Sequence, residues 1–446
     1  MKLRDLLIAA AVLAALLGVL YWSNHRKPNE DSSAKTSADV APKILSLNQT
    51  DVTGLSIRRK DEPQVDLAKS ETGTWQITAP KTLTAEQESV SSMLSALSSL
   101  NSERLLEEKA TDLASYGLVD PAIEISVSLK GNKWQKLLIG DQTPAGNSFY
   151  ASLTGDPRVF TMAGYSKTSL DKSLNDLRDK RLFTADFDKV SQIELVNQKP
   201  DKKLDITFAR AKDTWQILKP KPYRVEIYQA DELVRTLREA RFDASSVADE
   251  SKNAGAFKAA SPLASVKVTG ASGTQELELR KTKSDYYAKS SALSGIYKVP
   301  VTLSSSLDKS LDDFRNKKLF DFAYQEPDKI EIHDGAKAYF LTHSGSDWWG
   351  PDGKKLDEGS AEALVGKLRD MAAEKFPDSG FGSASVEISV TSDGGKRVEK
   401  VSIAKNGDTY VARRVNEPAL YELSSSAVAE MEKAAAELKL APEPKK

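Results

Sequence analysis

SLDKSLNDLRDKRLF at residues 169–183 returns as SLDKSLDDFRNKKLF at 306–320, 137 residues later, with 11 of 15 positions identical. Self-similarity of this length at a fixed period marks a repeated structural unit. Working outward, GTWQITAP around Trp75 answers DTWQILKP around Trp215, Pro80 answers Pro220, and SDWWGP around Trp348 is a more divergent third copy. Ahead of each Trp, alternating apolar residues predict two short strands, carrying Leu55 and Ile57, Ile193 and Leu195, and Ile330 and Ile332. After each Trp, an i, i+1, i+4, i+7 apolar face predicts a helix. Its residues are Met93, Leu94, Leu97 and Leu100, then Leu233, Val234, Leu237 and Ala240, then Leu364, Val365, Leu368 and Met371. Thr84 and Gln87 fit a capping box at the first of these helices. Further on, FYAS at 149–152 and VFTM at 159–162 correspond to YYAK at 286–289 and IYKV at 296–299, and then to TYVA at 409–412 and LYEL at 420–423.

Each repeat is therefore expected to run three strands, the third with its Trp, then a helix, four or five strands and a closing helix. The bounds are 43–183, 184–320 and a divergent 321–440. Alternation such as Ile123 to Leu129 puts one sheet face on a core and the other in water. The expected fold class is α+β, three tandem repeats of an antiparallel sheet unit with packed helices, preceded by one transmembrane helix. Leu182-Phe183 runs straight into Asp186-Phe187, and Leu319-Phe320 into Asp321-Phe322. Apolar joints imply that neighbouring repeats pack into a semi-rigid array.

The chain's 446 residues suit about three domains of roughly 150 residues. It has no cysteine, which excludes disulfides, thiolate metal sites, a cysteine nucleophile and a lipidated N-terminal cysteine. Three histidines leave little for imidazole chemistry, and a net charge of -1 with mixed signs does not suit a nucleic-acid partner. Residues 6–22, LLIAAAVLAALLGVLYW, are 17 residues without a charge. That is about 25 Å of helix, slightly short of a hydrocarbon core. Lys2 and Arg4 precede it, His25, Arg26 and Lys27 follow, and Tyr21 and Trp22 sit at the interfacial position. No small-x-small cleavage site follows, so residues 1–27 read as a retained signal anchor in the cytoplasmic membrane. Its flanking charge is balanced, and export of the long body is the expected outcome. PNEDSSAKTSADVAP at 28–42 reads as a flexible tether, and APEPKK at 441–446 as a disordered tail.

Taken together, TWQITAP, LSSLNSERLLEE, YGLVDPAIEISVSL, LLIGDQTPAGNSFYAS and LRDKRLF resemble the bacterial DUF4340 proteins, a family named as a domain of unknown function. The resemblance is strongest over 43–183. It implies a single-pass, membrane-anchored envelope protein associated with transporters of the ATP-binding-cassette type, including gliding-like systems. It supplies no catalytic residue. The second repeat departs from it, with FKAASPLASVKV in place of YGLVDPAIEISV, and neither later repeat keeps the Ile139-Gly140-Asp141 turn.

Candidate chemistry is sparse. His333 and His343 flank a hairpin turning at Asp334-Gly335, which separates them by some 20 Å, too far to share a metal. Ser169 with Lys172, and Ser306 with Lys309, fit the S-x-x-K acylating pair but lack its partner motifs. The structural reading is a serine capping an amphipathic helix with Leu170, Leu174 and Leu177 on its apolar side. The Gly380–Ser385 and Asp393–Lys396 runs lack nucleotide-loop spacing, so no nucleotide or cofactor site is expected. Trp75, Trp134, Trp215, Trp348 and Trp349 could stack sugars, but matched repetition favours core packing. Glu107-Glu108 and Asp312-Asp313 read as solvated charge. The most asymmetric feature is the loop Gly140, Asp141, Gln142, Thr143, Pro144, Ala145, Gly146, Asn147 and Ser148 before Tyr150, absent from the later repeats. It is an ordinary hairpin connection or a binding loop. The expected function is a non-catalytic protein-interaction scaffold with protein partners. A glycan-, peptidoglycan- or lipid-binding module is the alternative, and a Ser/Lys hydrolase the remote one.

Overall fold

A computed structural model of the chain describes residues 42–199, 202–212, 214–245, 250–323 and 325–442. The expected anchor at 6–22 and nearly all of the tether lie outside the described residues. Among the described residues, no helix is long and apolar enough to cross a membrane. The chain divides between Asp179 and Lys180 into two compact units.

The first unit holds the first repeat. Its elements are β1 (Val52–Arg59), β2 (Val65–Lys69), β3 (Trp75–Ala79), β4 (Leu83–Thr84), α1 (Gln87–Ser98), β5 (Arg104–Glu107), β6 (Ile123–Leu129), β7 (Lys133–Gln142), β8 (Ser148–Leu153), β9 (Val159–Ala163), α2 (Gly164–Leu170) and α3 (Leu174–Leu177). The strands form one antiparallel sheet in the order β4-β3-β2-β1-β6-β7-β8-β9-β5. Leu55 and Ile57 on β1 pair with Val127 and Ile125 on β6, and all four are buried. Met93, Leu94 and Leu97 of α1 close over the same face. Each such large apolar side chain, once fully buried, contributes about 1.5–3 kcal/mol.

The second unit holds the other two repeats. The second runs β10 (Val190–Lys199), β11 (Lys202–Ala211), β12 (Thr214–Lys219), α4 (Ile227–Glu239), α5 (Glu250–Ala259), β13 (Ser261–Gly270), β14 (Gly273–Lys281), β15 (Tyr286–Ser290), β16 (Ile296–Val299), α6 (Val301–Leu307) and α7 (Leu311–Phe314). The third runs β17 (Lys329–Asp334), β18 (Lys337–Ser344), β19 (Asp347–Trp349), α8 (Glu358–Asp370), β20 (Val386–Ser392), β21 (Arg397–Asn406), β22 (Thr409–Arg414), β23 (Leu420–Leu423) and α9 (Ser425–Ala436). Both sheets are antiparallel, ordered β12-β11-β10-β13-β14-β15-β16 and β19-β18-β17-β20-β21-β22-β23. This is the first sheet's order without its extra β4 and β5. The α+β architecture and its threefold repetition are therefore as the sequence led one to expect.

The same backbone ties recur in every repeat. Lys43 pairs with Asn101, Arg181 with Arg241 and Lys318 with Ala372, beyond the end of the main helix. The next N–H donates to the helix end: Ile44 to Leu100 at 3.0 Å, Leu182 to Ala240 at 2.8 Å, Leu319 to Met371 at 3.0 Å. On the other side of that helix, Ala85 pairs with Arg178, Val225 with Arg315 and Leu356 with Leu440. Lys43-Ile44-Leu45, Arg181-Leu182-Phe183 and Lys318-Leu319-Phe320 are thus one motif, and it opens each repeat. Leu182 and Phe183 belong to the core of the second sheet, and Leu319 and Phe320 to that of the third. At the chain's end Ala441 donates to Lys355 at 2.9 Å, and residues 443–446 of the expected tail lie outside the described residues.

Candidate functional site

The Gly140–Ser148 segment forms the β7–β8 hairpin connection, with a register shift between Ile139 and Gln142. Pro144 and Gly146 take the second and fourth positions of a turn, which suit them, and the Gly146 N–H donates to Thr143 at 2.8 Å. Thr143 donates to Ser148 at 2.8 Å and Gly164 to the Asn147 carbonyl at 3.0 Å, while the Gln142 amide donates to the Gly146 carbonyl. Beneath the loop, a Cβ on Gly140 would lie 2.1 Å from the Tyr116 carbonyl oxygen, and one on Gly117 2.5 Å from the Asp141 carboxyl carbon. Two motifs of the family resemblance, YGLVDP and LLIGDQTP, therefore meet backbone to backbone. Tyr150 stands edge-on to Tyr116 at 4.9 Å, and Tyr116 donates its hydroxyl to Glu107 at 2.6 Å. That bond, with some burial, raises the Tyr116 pKa. The loop is a braced turn, and its hydrogen bonds are made within the first repeat.

The S-x-x-K serines do not sit where the sequence reading put them. Ser169 lies in the last turn of α2 and donates to the Tyr165 carbonyl at 2.9 Å. The expected single helix breaks after Leu170, because Ser173 starts a new one. The Ser173 hydroxyl accepts from the Asp176 N–H at 3.3 Å, and its own N–H donates to Asp176 at 2.9 Å. Ser310 repeats the pattern with Asp313 at 2.7 Å. Lys309 donates to Gln229 at 2.6 Å and not to Ser306. The motif's aspartate ties helix to sheet, since Asp171 accepts from Arg59 at 2.8 Å and from Lys167 at 2.6 Å. Burial opposes ionisation of Asp171, but those two cations outweigh it and lower its pKa.

Other expectations also meet their surroundings. Asp313 closes a capping box and Glu107 accepts from Tyr116, so neither is merely solvated charge. Gln87 does not pair with Thr84 in a capping box. It reaches across to the β3 edge, accepting from the Trp75 N–H at 2.8 Å and donating to the Trp75 carbonyl at 2.9 Å. Trp75, Trp215 and Trp348 are 5%, 7% and 2% exposed and pack in the cores, whereas Trp134 is 59% exposed and does not. Pro80 and Pro220 follow cis peptide bonds. His333 packs edge-on to Phe340 and His343 against Trp348, at opposite ends of the β17–β18 hairpin. Among the described residues, no group of three or more His, Asp or Glu side chains could hold a metal.

A concavity with no local signature in the sequence lies at the joint of the second and third repeats. Within the second unit, a cleft of about 850 Å³ opens between the outer end of β12, the start of α4 and the first residues of β21. Its base is a charged network. Arg224 donates to Asp321 at 2.5 Å, to Glu417 at 3.3 Å and to the Tyr421 hydroxyl at 3.2 Å, and also to the Lys318 carbonyl. Arg414 bonds Glu417 at 2.7 Å and Glu399 at 3.0 Å, and donates to the Leu319 carbonyl. Glu399 accepts from the Asp321 N–H at 3.1 Å. Burial works against the Arg224 charge, but Tyr421, Asp321 and Glu417 more than offset it, and its pKa is raised. Nearby, the Arg315 guanidinium is sandwiched between Tyr223 at 4.1 Å and Phe376 at 3.6 Å, which clamps the second repeat to the third. Ile227 and Val398 line the cleft and are 55% and 52% exposed.

Fold and site define a tandem sheet-repeat protein with a cleft at the joint between its second and third repeats. The family model for DUF4340, described as a domain of unknown function, matches residues 75–258 and again 215–387, starting at Trp75 and at Trp215. The chain belongs to that family. No curated protein matches it, and no solved structure does.

Proposed function

We propose that the chain is a non-catalytic scaffold of the bacterial envelope, held in the cytoplasmic membrane by residues 6–22, with its body on the outer side and binding subunits of an ABC-type transport complex. The cleft carries the reading. Exposed Ile227 and Val398 flank a strand edge and a fixed cation network, features of a protein-binding recess. The uncharged N-terminal stretch and the family resemblance support the location and the class of partner. A photo-crosslinker in place of Val398, activated in native membranes, tests it by mass spectrometry. Reproducible capture of the same membrane-protein subunits is expected. A glycan adduct with no protein adduct would overturn the reading.

A further inference from the structure

β12 and β19 end their sheets, and outside β3 lies only the two-residue β4, paired with Gln76 and Ile77 and leaving the Trp75 backbone uncovered by a strand. Such an edge exposes unpaired backbone groups that invite another strand. In the first repeat the edge at Trp75 is closed by the Gln87 side chain, at 2.8 Å and 2.9 Å. In the third, the Leu356 N–H donates to the Trp348 carbonyl at 2.8 Å. In the second, the place of Gln87 is taken by Ile227, two residues beyond the matched bridges at Ala85 and Val225. An isoleucine side chain can neither donate nor accept a hydrogen bond. Ile217 exchanges both backbone bonds with Tyr223, at 3.3 Å and 3.0 Å, on the side away from β11. Strand alternation puts the N–H and C=O of Trp215, two residues earlier, on that same outer side. Among the described residues, no side chain meets them as Gln87 meets Trp75, and the cleft lies beside them, with Thr214, Trp215 and Gln216 in its lining.

The lining also says what would fit. It holds five Lys or Arg residues against three Asp or Glu. Lys318 and Arg397 have the most exposed cationic side chains of these, at 45% and 35%. Both already hold partly exposed ion pairs, Lys318 with Asp370 at 3.7 Å and Arg397 with Asp321 and Glu399 at 3.6 Å and 3.3 Å. A better-placed carboxylate would compete with them. We propose that the outer edge of β12 at Trp215 takes up an extended acidic segment of a partner protein as an added strand. The segment's backbone pairs with Trp215, its apolar side chains cover Ile227, and its carboxylates face Lys318 and Arg397. This rests on the scaffold reading and names the partner's chemistry at the cleft.

The test is titration of the full-length protein with a blocked octapeptide of alternating Val and Glu. Binding is expected, and Ile227→Gln, which installs the first repeat's closing side chain, should weaken it about tenfold through the loss of two backbone hydrogen bonds. Ile227→Ala leaves the edge open and loses only the apolar cover, so it should bind more tightly than Ile227→Gln, which separates edge closure from a damaged fold. A Val–Lys peptide, or a Val–Glu peptide with N-methylated backbone, should bind at least about tenfold more weakly than the parent. Equal affinity for Ile227→Gln and the parent protein, equal affinity for the N-methylated peptide, or no binding would overturn the proposal. Capture of the same subunits at Val398 without peptide binding would remove strand addition and leave the scaffold reading standing. Peptide binding without captured subunits would support the edge and remove the scaffold reading.

Discussion

Arg59 and Asn197 stand at the same place, late in the first strand of the first and second repeats. Arg59 meets Asp171 in an ion pair at 2.8 Å, and Asn197 donates to Asp308 in a hydrogen bond at 3.1 Å. Gly140 and Arg280 are likewise matched by strand register. Gly140 admits the Tyr116 carbonyl, whereas the Arg280 guanidinium lies 4.6 Å over the Phe257 ring. Between the two repeats the backbone ties stay and the side chains that dress them change. The fold is therefore held by ladders and capping turns common to both, and individuality sits where a side chain meets a backbone from elsewhere.

Four experiments press on that contrast. Gly140→Ala should have the largest effect, because its Cβ would fall 2.1 Å from a backbone oxygen that cannot swing aside. The cost is expected at about 3 kcal/mol or more, read as a lower urea midpoint for the first unit. Arg280→Gly should cost less, since it removes one stacked side chain. Next, Arg224→Ala should destabilise the second unit by about 3 kcal/mol, because it strands carboxylates that the guanidinium neutralises. The first unit's transition should not move. Ser173→Ala and Ser310→Ala should each cost about 1 kcal/mol as lost caps, whereas Ser169→Ala and Ser306→Ala should stay within about 0.5 kcal/mol. The reverse ranking would return the S-x-x-K serines to consideration.

The smallest effect concerns acid. The folded Asp171 carboxyl titrates below its ordinary 3.8. Such a group adds stability above its unfolded pKa and loses it as pH falls through the folded one. Asp171→Asn should therefore flatten the first unit's stability loss below about pH 4, by less than about 1 kcal/mol because the pair is partly exposed. Denaturation midpoints between pH 2 and 6 measure it, and an unchanged slope would show that Arg59 and Lys167 do not stabilise the charge.

Much of this was legible because repetition makes weak local signals agree. The strand alternation of Leu55 and Ile57 and the helix face of Met93 and Leu97 each have two copies to compare, and all of them became core. The opening motif was misplaced at the end of the first repeat because Lys43-Ile44-Leu45 differs from its counterparts at several positions and sits alone beside the tether. Its bridge to Asn101 and its bonds to Leu100 reveal it. The break at Ser173 was hidden by an unbroken apolar spacing that side-chain capping overrides. The Arg224 network had no local signal. Its partners Asp321 and Glu417 lie 97 and 193 residues away, brought together only by the packing of two sheets.

The second and third repeats join without a linker. The Asn316 N–H binds the Arg224 carbonyl at 3.0 Å, which completes the second repeat, and the Lys317 carbonyl accepts from Ala373 at 2.8 Å, which begins the third. Neighbouring residues in the chain are thus committed to different ladders, with no intervening linker. A hinge needs a few residues free to absorb a change in backbone torsion, and none is spare here. Flexing at this joint is therefore a local unfolding event, its frequency set by the strength of those two bonds and the salt network around them. An extra residue inserted between Asn316 and Lys317 would supply the slack that the native chain lacks.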